Sequence, residues 1–230
     1  TNDLIKTARL GDRNSELVNC YRMVRDSLPQ VIALLSEHQN NHSKEYFYNI
    51  RALDPLDLAP VARASRTIYL NKTCFNGLFR LNRQGKFNVP FGRYTHPSIL
   101  NINRLTSASM ALKGVQLITG NYRSIIDTVQ SEDFVYLDPP YYPISKTANF
   151  TSYTSTRFTA IDQRELAAFV TNLTALGVSI MLSNSDTLLI RELYTDYYQH
   201  QVKTSRSINS KAARRGKISE LVITNYKPST

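Results

Sequence analysis

The chain has 230 residues, of which 42% are hydrophobic and 20% charged, a globular balance that excludes a disordered polymer and allows one sizeable domain with a smaller insertion. Lys and Arg total 28 against 18 Asp and Glu, and the net charge of +10 points to a polyanionic partner, nucleic acid first. Apolar runs such as Val178-Ser179-Ile180-Met181-Leu182 are too short to span a bilayer, so no membrane association is expected.

Two cysteines, Cys20 and Cys74, and four histidines show no metal-ligand spacing, so no metal site is expected. The start of the chain does not read as a secretory leader, and a reduced, cytoplasmic compartment is the simplest reading.

In chain order, residues 4–10 read as a strand ending at Gly11-Asp12. Asn14 is placed to cap a helix in which Leu17, Val18, Tyr21 and Val24 recur at helical spacing, to about Asp26. Pro29 suits the first turn of a second helix with Val31, Ile32, Leu34 and Leu35 on its apolar face. The polar stretch from Glu37 to Lys44 reads as a loop, with helices following over Glu45 to Ala52 and over 61–70.

Residues 71–94 are unlike their surroundings. They hold three glycines, four asparagines, five Lys or Arg, five aromatics and no acid. Asn82-Arg83-Gln84-Gly85 reads as a hairpin turn with Gly85 at positive φ. A solvated surface hairpin would not require that density of cations, whereas a phosphate-facing one would.

Downstream the pattern becomes α/β. Val115–Ile118 is a predicted strand ending near Gly120, a short helix holds Ile125 and Ile126, and Phe134–Leu137 is a second strand. A polar loop over 142–158 precedes a helix over 162–176 with Leu166, Phe169, Val170 and Leu173 on one face and Gly177 as its stop. Val178–Leu182 is the next strand and 188–195 the next helix. Strands near 198–204 and 221–226 are expected to pair antiparallel across the basic loop 205–217.

Alternating strands and helices imply a mostly parallel, doubly wound sheet, in which ligands bind beyond the carboxyl ends of the strands. Gly11-Asp12, Gly120-Asn121-Tyr122 and Asp138-Pro139-Pro140-Tyr141 stand at three such ends.

The last of these carries a specific chemistry. An exocyclic amine on an aromatic base is a poor nucleophile, because its lone pair is delocalised into the ring. A catalyst must hold it by its hydrogens and aim it at an electrophile. The carboxylate of Asp138 can accept one N–H, and a carbonyl held by the prolines, that of Pro139, can accept the other. Proline fixes φ and removes a competing N–H donor, so the acceptor geometry is rigid. Tyr141 offers a ring on which a base taken out of the duplex can stack.

Several pieces in the right order carry a resemblance. They are Gly11-Asp12-Arg13-Asn14-Ser15-Glu16-Leu17, Leu70-Asn71-Lys72-Thr73-Cys74-Phe75-Asn76-Gly77-Leu78-Phe79-Arg80, and Gly85-Lys86-Phe87-Asn88-Val89-Pro90-Phe91-Gly92. Asp138–Tyr141, Thr147-Ala148-Asn149-Phe150-Thr151 and Leu182-Ser183-Asn184-Ser185-Asp186-Thr187 complete the set. With them the chain resembles the Dam-type DNA adenine-N6 methyltransferases from about residue 10 to 226.

The resemblance implies a Rossmann-like α/β fold for a methyltransferase dependent on S-adenosylmethionine, with an inserted helical and β-hairpin DNA-recognition domain. Residues 1–25 and 110–230 would form the catalytic domain, and 26–109 the recognition domain, with its hairpin at 71–94. The implied activity is methyl transfer to adenine N6 in duplex DNA, at GATC or a close variant, with base flipping by a monomer.

By the same resemblance Asp12 would bind the ribose hydroxyls of the cofactor and Asn121 and Tyr122 would line its adenine. Asp138, Pro139, Pro140 and Tyr141 would hold the target base, with Asp138 also near the methionine end of the cofactor. Phe75 would probe the stack and Asn76 the backbone, while Leu78, Arg80 and Pro90 meet base edges. Arg80 is the natural guanine reader, because its planar fork matches O6 and N7. Lys72, Asn82, Asn88, Arg93 and Arg206 complete the implied DNA contacts.

The family's Gly-rich cofactor loop, expected just before residue 4, does not occur in these residues, so a preceding segment carrying it is expected. Two other readings stay open: a DNA-binding module without catalysis, and an N4-cytosine or RNA-N6 methyltransferase. Asp138 argues against the second, which more often shows Ser or Asn before Pro-Pro-Tyr.

Overall fold

The computed structural model describes residues 5, 7–82, 84–144, 158–205 and 217–228. They fall into two compact units, Thr1–Tyr122 and Arg123–Thr230.

In the first unit a short strand β1 (Arg9–Asp12) pairs in parallel with β2 (Gln116–Thr119), Asp12 standing opposite Thr119. Helix α1 (Ser15–Asp26) starts where the side chain of Asn14 accepts the backbone N–H groups of Glu16 and Leu17, the cap expected of that residue. Two arginines of α1 tie it to β2 and its approach: Arg22 donates to the Leu117 carbonyl at 3.0 Å and Arg25 to that of Val115 at 2.6 Å.

Helices α2 (Leu28–Asn40), α3 (Lys44–Ala52) and α4 (Pro60–Thr73) follow, and α4 packs on all three of its predecessors. The core holds Val18, Val24, Val31, Leu35, Phe47, Tyr69 and Leu70, joined by Cys74, Phe87 and Val89 from the segment after α4. Burying Phe87 and Val89 contributes roughly 1.5–3 kcal/mol each, which fixes that segment to the helices.

In the second unit the strand order is β3-β4-β6-β5, built from β3 (Phe134–Leu137), β4 (Ser179–Ser185), β5 (Tyr198–Ser205) and β6 (Lys217–Thr224). β3 and β4 run parallel, whereas β6 pairs antiparallel with both β4 and β5. Helix α6 (Ala160–Ala175) is the crossover between β3 and β4, opened by a reciprocal cap between Thr159 and Asp162 and buried through Leu166, Phe169, Val170 and Leu173. Gly177 ends it at φ 79°, where a Cβ would be strained and would meet Ser131 at 3.3 Å. A short helix α7 (Leu188–Leu193) leads from β4 to β5.

Several boundaries differ from the sequence expectation. β1 includes Gly11 and Asp12 instead of ending before them. The stretch read as a loop from Glu37 is helical to Asn40, because His38 is buried against Tyr46 and Ser65. α4 runs to Thr73, so Asn71 and Lys72 are helical and the loop segment begins at Cys74. β4 runs three residues past Leu182, since Ser183, Asn184 and Ser185 are themselves buried and paired with β6. The helix expected around Ile125 is a single 3₁₀ turn, Tyr122–Ile125.

The sequence reading passed over α5 (Ile102–Ala111), whose polar face hides its period but whose start is capped by the Asn101 side chain on the Arg104 N–H. Neither sheet is a long parallel one: each unit contributes one parallel pair, and the rest is antiparallel.

Candidate active site

Asp138 is the residue after β3, on the same face as Phe134 and Tyr136 by the two-residue period of the strand. Its Oδ1 accepts the hydroxyl of Ser183 at 2.8 Å, and the Tyr136 hydroxyl lies 3.1 Å from the same Ser183 Oγ. Tyr141 follows in the same segment. Burial first, then the carboxylates of Glu220 and Asp138, push its phenol above the usual range, against the pull of a hydrogen bond with Ser183. Tyr141 is therefore protonated at neutral pH and available as a donor.

The turn 138–142 is held from beneath by two amide side chains with no exposed surface, Gln163 of α6 and Asn184 of β4. Gln163 Nε2 donates to the Pro140 carbonyl at 2.9 Å, and Asn184 Nδ2 donates to Gln163 Oε1 at 3.0 Å. Asn184 Oδ1 accepts the Tyr142 N–H at 3.0 Å, and Ser185 Oγ donates to the Tyr142 carbonyl at 2.5 Å. Buried amides cost free energy unless paired, and here each is paired through both of its ends. Two prolines fix φ on one side of the turn and this network fixes the peptide groups on the other.

In the first unit Asp12 ends β1, and its Oδ1 accepts the Asn14 N–H at 2.6 Å. Gly120 donates to the Asp12 carbonyl at 3.0 Å, so Asn121 and Tyr122 leave β2 directly beside Asp12. The three residues expected to bind a nucleoside thus sit at adjacent carboxyl ends of a parallel pair. A carboxylate with a half-buried tyrosine next to it suits a diol and a flat ring.

The segment 74–92 folds back on itself as an antiparallel loop with isolated bridges at Cys74–Phe91 and Leu81–Phe87. Backbone bonds run from Phe75 N to Pro90 O, from Asn88 N to Arg80 O and from Asn82 N to Lys86 O. Asn82 closes the tip by accepting the N–H groups of Gln84 and Lys86, and Gly85 takes φ 74°, as the turn reading requires.

Asn76 is the one non-glycine residue at positive φ among the described residues, at 55°, followed by Gly77 at 60°; asparagine tolerates that conformation better than most. This bend leaves Phe75 51% exposed, large for an aromatic side chain with no solvent role. Arg80 is exposed, and its Nε donates to Asn88 Oδ1 at 2.7 Å and its Nη2 to the Asn88 carbonyl at 3.2 Å.

The sequence of the D12 class N6 adenine-specific DNA methyltransferases matches residues 2–208. The chain belongs to this family. It is similar to a Type II methyltransferase of Lactococcus lactis subsp. cremoris, 41% identical over 95% of this chain and 79% of that protein. A Type II methyltransferase of Methanocaldococcus jannaschii is 38% identical over 96% of this chain and 81% of its own length. The DNA adenine methylase of Escherichia coli K12 is 36% identical, covering 95% and 79%.

This D12-class chain is therefore a DNA adenine methyltransferase with a mixed α/β fold of the S-adenosylmethionine-dependent kind. No helix among the described residues is long and apolar enough to cross a membrane.

In this methyltransferase Asp138, Pro139, Pro140 and Tyr141 form one turn, and Asp12, Asn121 and Tyr122 form one strand-end cluster. Phe75, Asn76, Leu78, Arg80, Asn82, Asn88 and Pro90 all belong to the loop segment. Leu78 is half-buried against the core and Pro90 exposed; Arg93 follows just beyond the loop and is exposed. Lys72 stands apart on the last turn of α4. Arg206, the basic loop around it and the Thr147–Thr151 motif lie outside the described residues.

The sequence reading named Ser183 and Asn184 only as part of the 182–187 motif, with no role in the site, and did not single out Gln163. Three consecutive small polar residues, Ser183-Asn184-Ser185, at the end of an apolar strand were the signal, because polar groups inside a sheet need partners.

Among the described residues no group of His, Cys, Asp or Glu is placed to hold a metal ion. Burial pushes the Cys20 thiol up to about 12 and that of Cys74 to about 11, so neither is a nucleophile at neutral pH.

Proposed function

We propose that this methyltransferase acts as a monomer on adenine N6 within GATC or a close variant, taking the target base out of the duplex onto Tyr141. The bound cofactor supplies a methyl group on a sulfonium, an electrophile that needs no further activation.

Asp138 accepts one hydrogen of the adenine amine, with its other oxygen already capped by Ser183. The Pro139 carbonyl accepts the second hydrogen, a reading supported by the engagement of the neighbouring Pro140 carbonyl with Gln163. Held by both hydrogens, the amine would present its lone pair to the methyl, the N–C bond forming as the S–C bond breaks, the sulfur keeping that electron pair and the surplus amine proton passing to Asp138 or water. Positioning with electrostatic complementarity would provide the rate. Asp12 would bind the ribose diol of the cofactor, Asn121 and Tyr122 would flank its adenine, and Asp138 would lie near its methionine end.

The loop 74–92 reads the DNA. Arg80 spends the Nε side of its guanidinium on Asn88, so its terminal Nη1/Nη2 edge is the one that meets guanine O6 and N7. Leu78 and Pro90 meet a thymine methyl, Phe75 enters the stack beside the target, and Asn76 contacts the backbone. Lys72, Asn82, Asn88, Arg93 and Arg206 face phosphates or sugar. The relatives include both Type II methyltransferases and DNA adenine methylases, and either setting suits this chemistry.

The observation that carries the reading is the rigid Asp138–Tyr141 turn at the end of β3, braced by Gln163 and Asn184. The test is methylation of plasmid DNA followed by digestion with enzymes that differ in sensitivity to adenine methylation at GATC. Protection confined to GATC supports the site. Methylation elsewhere would overturn GATC while keeping the chemistry.

A further inference from the structure

Ser183 has a single hydroxyl between two side chains that matter at the end of β3. Its Oγ is 2.8 Å from Asp138 Oδ1 and 3.1 Å from the Tyr136 hydroxyl. The residue is 7% exposed, on a strand in register with β3 through Leu137 and Leu182.

A hydroxyl carries one donor and two acceptor positions. A carboxylate can only accept, so the one proton of Ser183 goes to Asp138. The serine's acceptor positions are then left to the Tyr136 hydroxyl, which can donate. The group is filled with one consistent direction: Tyr136 donates into Ser183, and Ser183 donates into Asp138.

This direction has a consequence for the carboxylate. A lone aspartate on a strand end rotates about χ2 and presents either oxygen. With Oδ1 committed to Ser183, the plane of the carboxylate is set and Oδ2 is the oxygen left for an incoming amine. One small side chain on β4 therefore sets the plane of that carboxylate, and nothing else among the described contacts of Asp138 does so.

We propose that Ser183 is a positioning residue for methyl transfer, orienting the Asp138 carboxylate, with Tyr136 as its outer support. The inference rests on the reading of Asp138 given above.

The experiment uses the full chain in single-turnover methylation of a duplex carrying an unmethylated copy of the recognition site, with radiolabelled S-adenosylmethionine and enzyme in excess. Duplex affinity is measured by fluorescence anisotropy and thermal midpoint is recorded for each variant. Ser183→Ala is expected to lower the single-turnover rate roughly ten- to a hundredfold, the scale of a misplaced reacting group, with duplex affinity within about twofold. Ser183→Thr keeps the hydroxyl and is expected to recover most of the rate. Tyr136→Phe, a milder change at an exposed ring, is expected to slow the step about two- to threefold.

A Ser183→Ala enzyme that is folded and methylates at the unaltered rate overturns the proposal. So does a loss that appears in duplex affinity or thermal midpoint alone, or one that the threonine variant and Tyr136→Phe fail to grade as described. If Asp138→Ala itself retains turnover, the reading of the site falls and the role of Ser183 with it. If Asp138→Ala is inactive while Ser183→Ala is normal, only the positioning role falls.

Discussion

The turn at 138–142 and the loop at 74–92 solve opposite problems with the same kind of residue. Both depend on asparagine or glutamine side chains bonded to backbone. In the turn those amides are completely buried, and the groups they hold are peptide carbonyls and N–H groups next to the reacting position. In the loop the amides of Asn82 and Asn88 sit near the surface, and what they hold is the tip and an exposed arginine. On the proposed function the contrast has a reason. A reacting amine tolerates little misplacement, so its acceptors would be braced from the core. A reader of base edges would keep its donors in water until DNA arrives, with its inner face, Phe87 and Val89, anchored.

That contrast can be broken by substitution, beginning where the effect is largest. Asp138→Ala should reduce methylation to background while duplex affinity stays within a few fold, because it removes amine positioning only; retained turnover would remove Asp138 from the chemistry. Gln163→Leu leaves the Pro140 carbonyl and Asn184 Nδ2 without their partner in a buried place. About 1–3 kcal/mol of stability should be lost for each unpaired group, read as a lower denaturant midpoint, together with slower methylation. A variant with unchanged midpoint and rate would show that the turn needs no bracing.

Arg80→Ala should cost roughly 1–3 kcal/mol and relax one base of the site, measured as the ratio of kcat/KM on matched and singly substituted duplexes. An equal loss on every sequence would make Arg80 a phosphate contact. Asn88 sharpens the point: Asn88→Asp keeps the acceptor for Arg80 but adds a charge that repels phosphate. Preserved discrimination with weaker overall binding is expected from Asp, and weakened discrimination from Asn88→Ala.

The least local effect comes from the helices under the loop. His38 stacks on Tyr69 at 4.7 Å and bonds Tyr46 and Ser65, and burial lowers its pKa from 6.5 to about 4. Its folded-state value is depressed, so the stability it contributes is fully present above pH 6.5 and is lost as pH falls toward 4. The expected fall is on the order of 2–3 kcal/mol, and His38→Gln should flatten the slope of denaturant midpoint against pH.

Much of this was legible in the residues themselves. The order of strands and helices apart from α5, the cap at Asn14, the positive φ of Gly85 and the crossover helix ending at Gly177 follow from local rules that hold wherever those residues occur. Asp138-Pro139-Pro140-Tyr141 was legible because its chemistry is carried by four adjacent residues. Gln163 and Asn184 were not, since what they hold lies some twenty and forty residues away along the chain, and a buried amide looks like any other in a sequence. The continuation of α2 to Asn40 was hidden for the same reason: His38 is polar, and its partners come from α3 and α4. Local patterning reports periods and turns; long-range polar pairing becomes visible only when the elements are assembled.

Gly92 closes the base of the loop 74–92, where its N–H bonds the Thr73 carbonyl and an added Cβ would lie 2.4 Å from the Cys74 carbonyl oxygen. The ends of the loop are thus clamped together independently of what its tip carries. Such a closure makes the tip a transplantable cassette: exchanging residues 78–90 for those of a relative, with Cys74, Phe87, Val89 and Gly92 kept, should alter which duplexes are modified while the melting midpoint of the chimera stays near that of the parent. A chimera that fails to fold would show that tip and scaffold evolved as one piece.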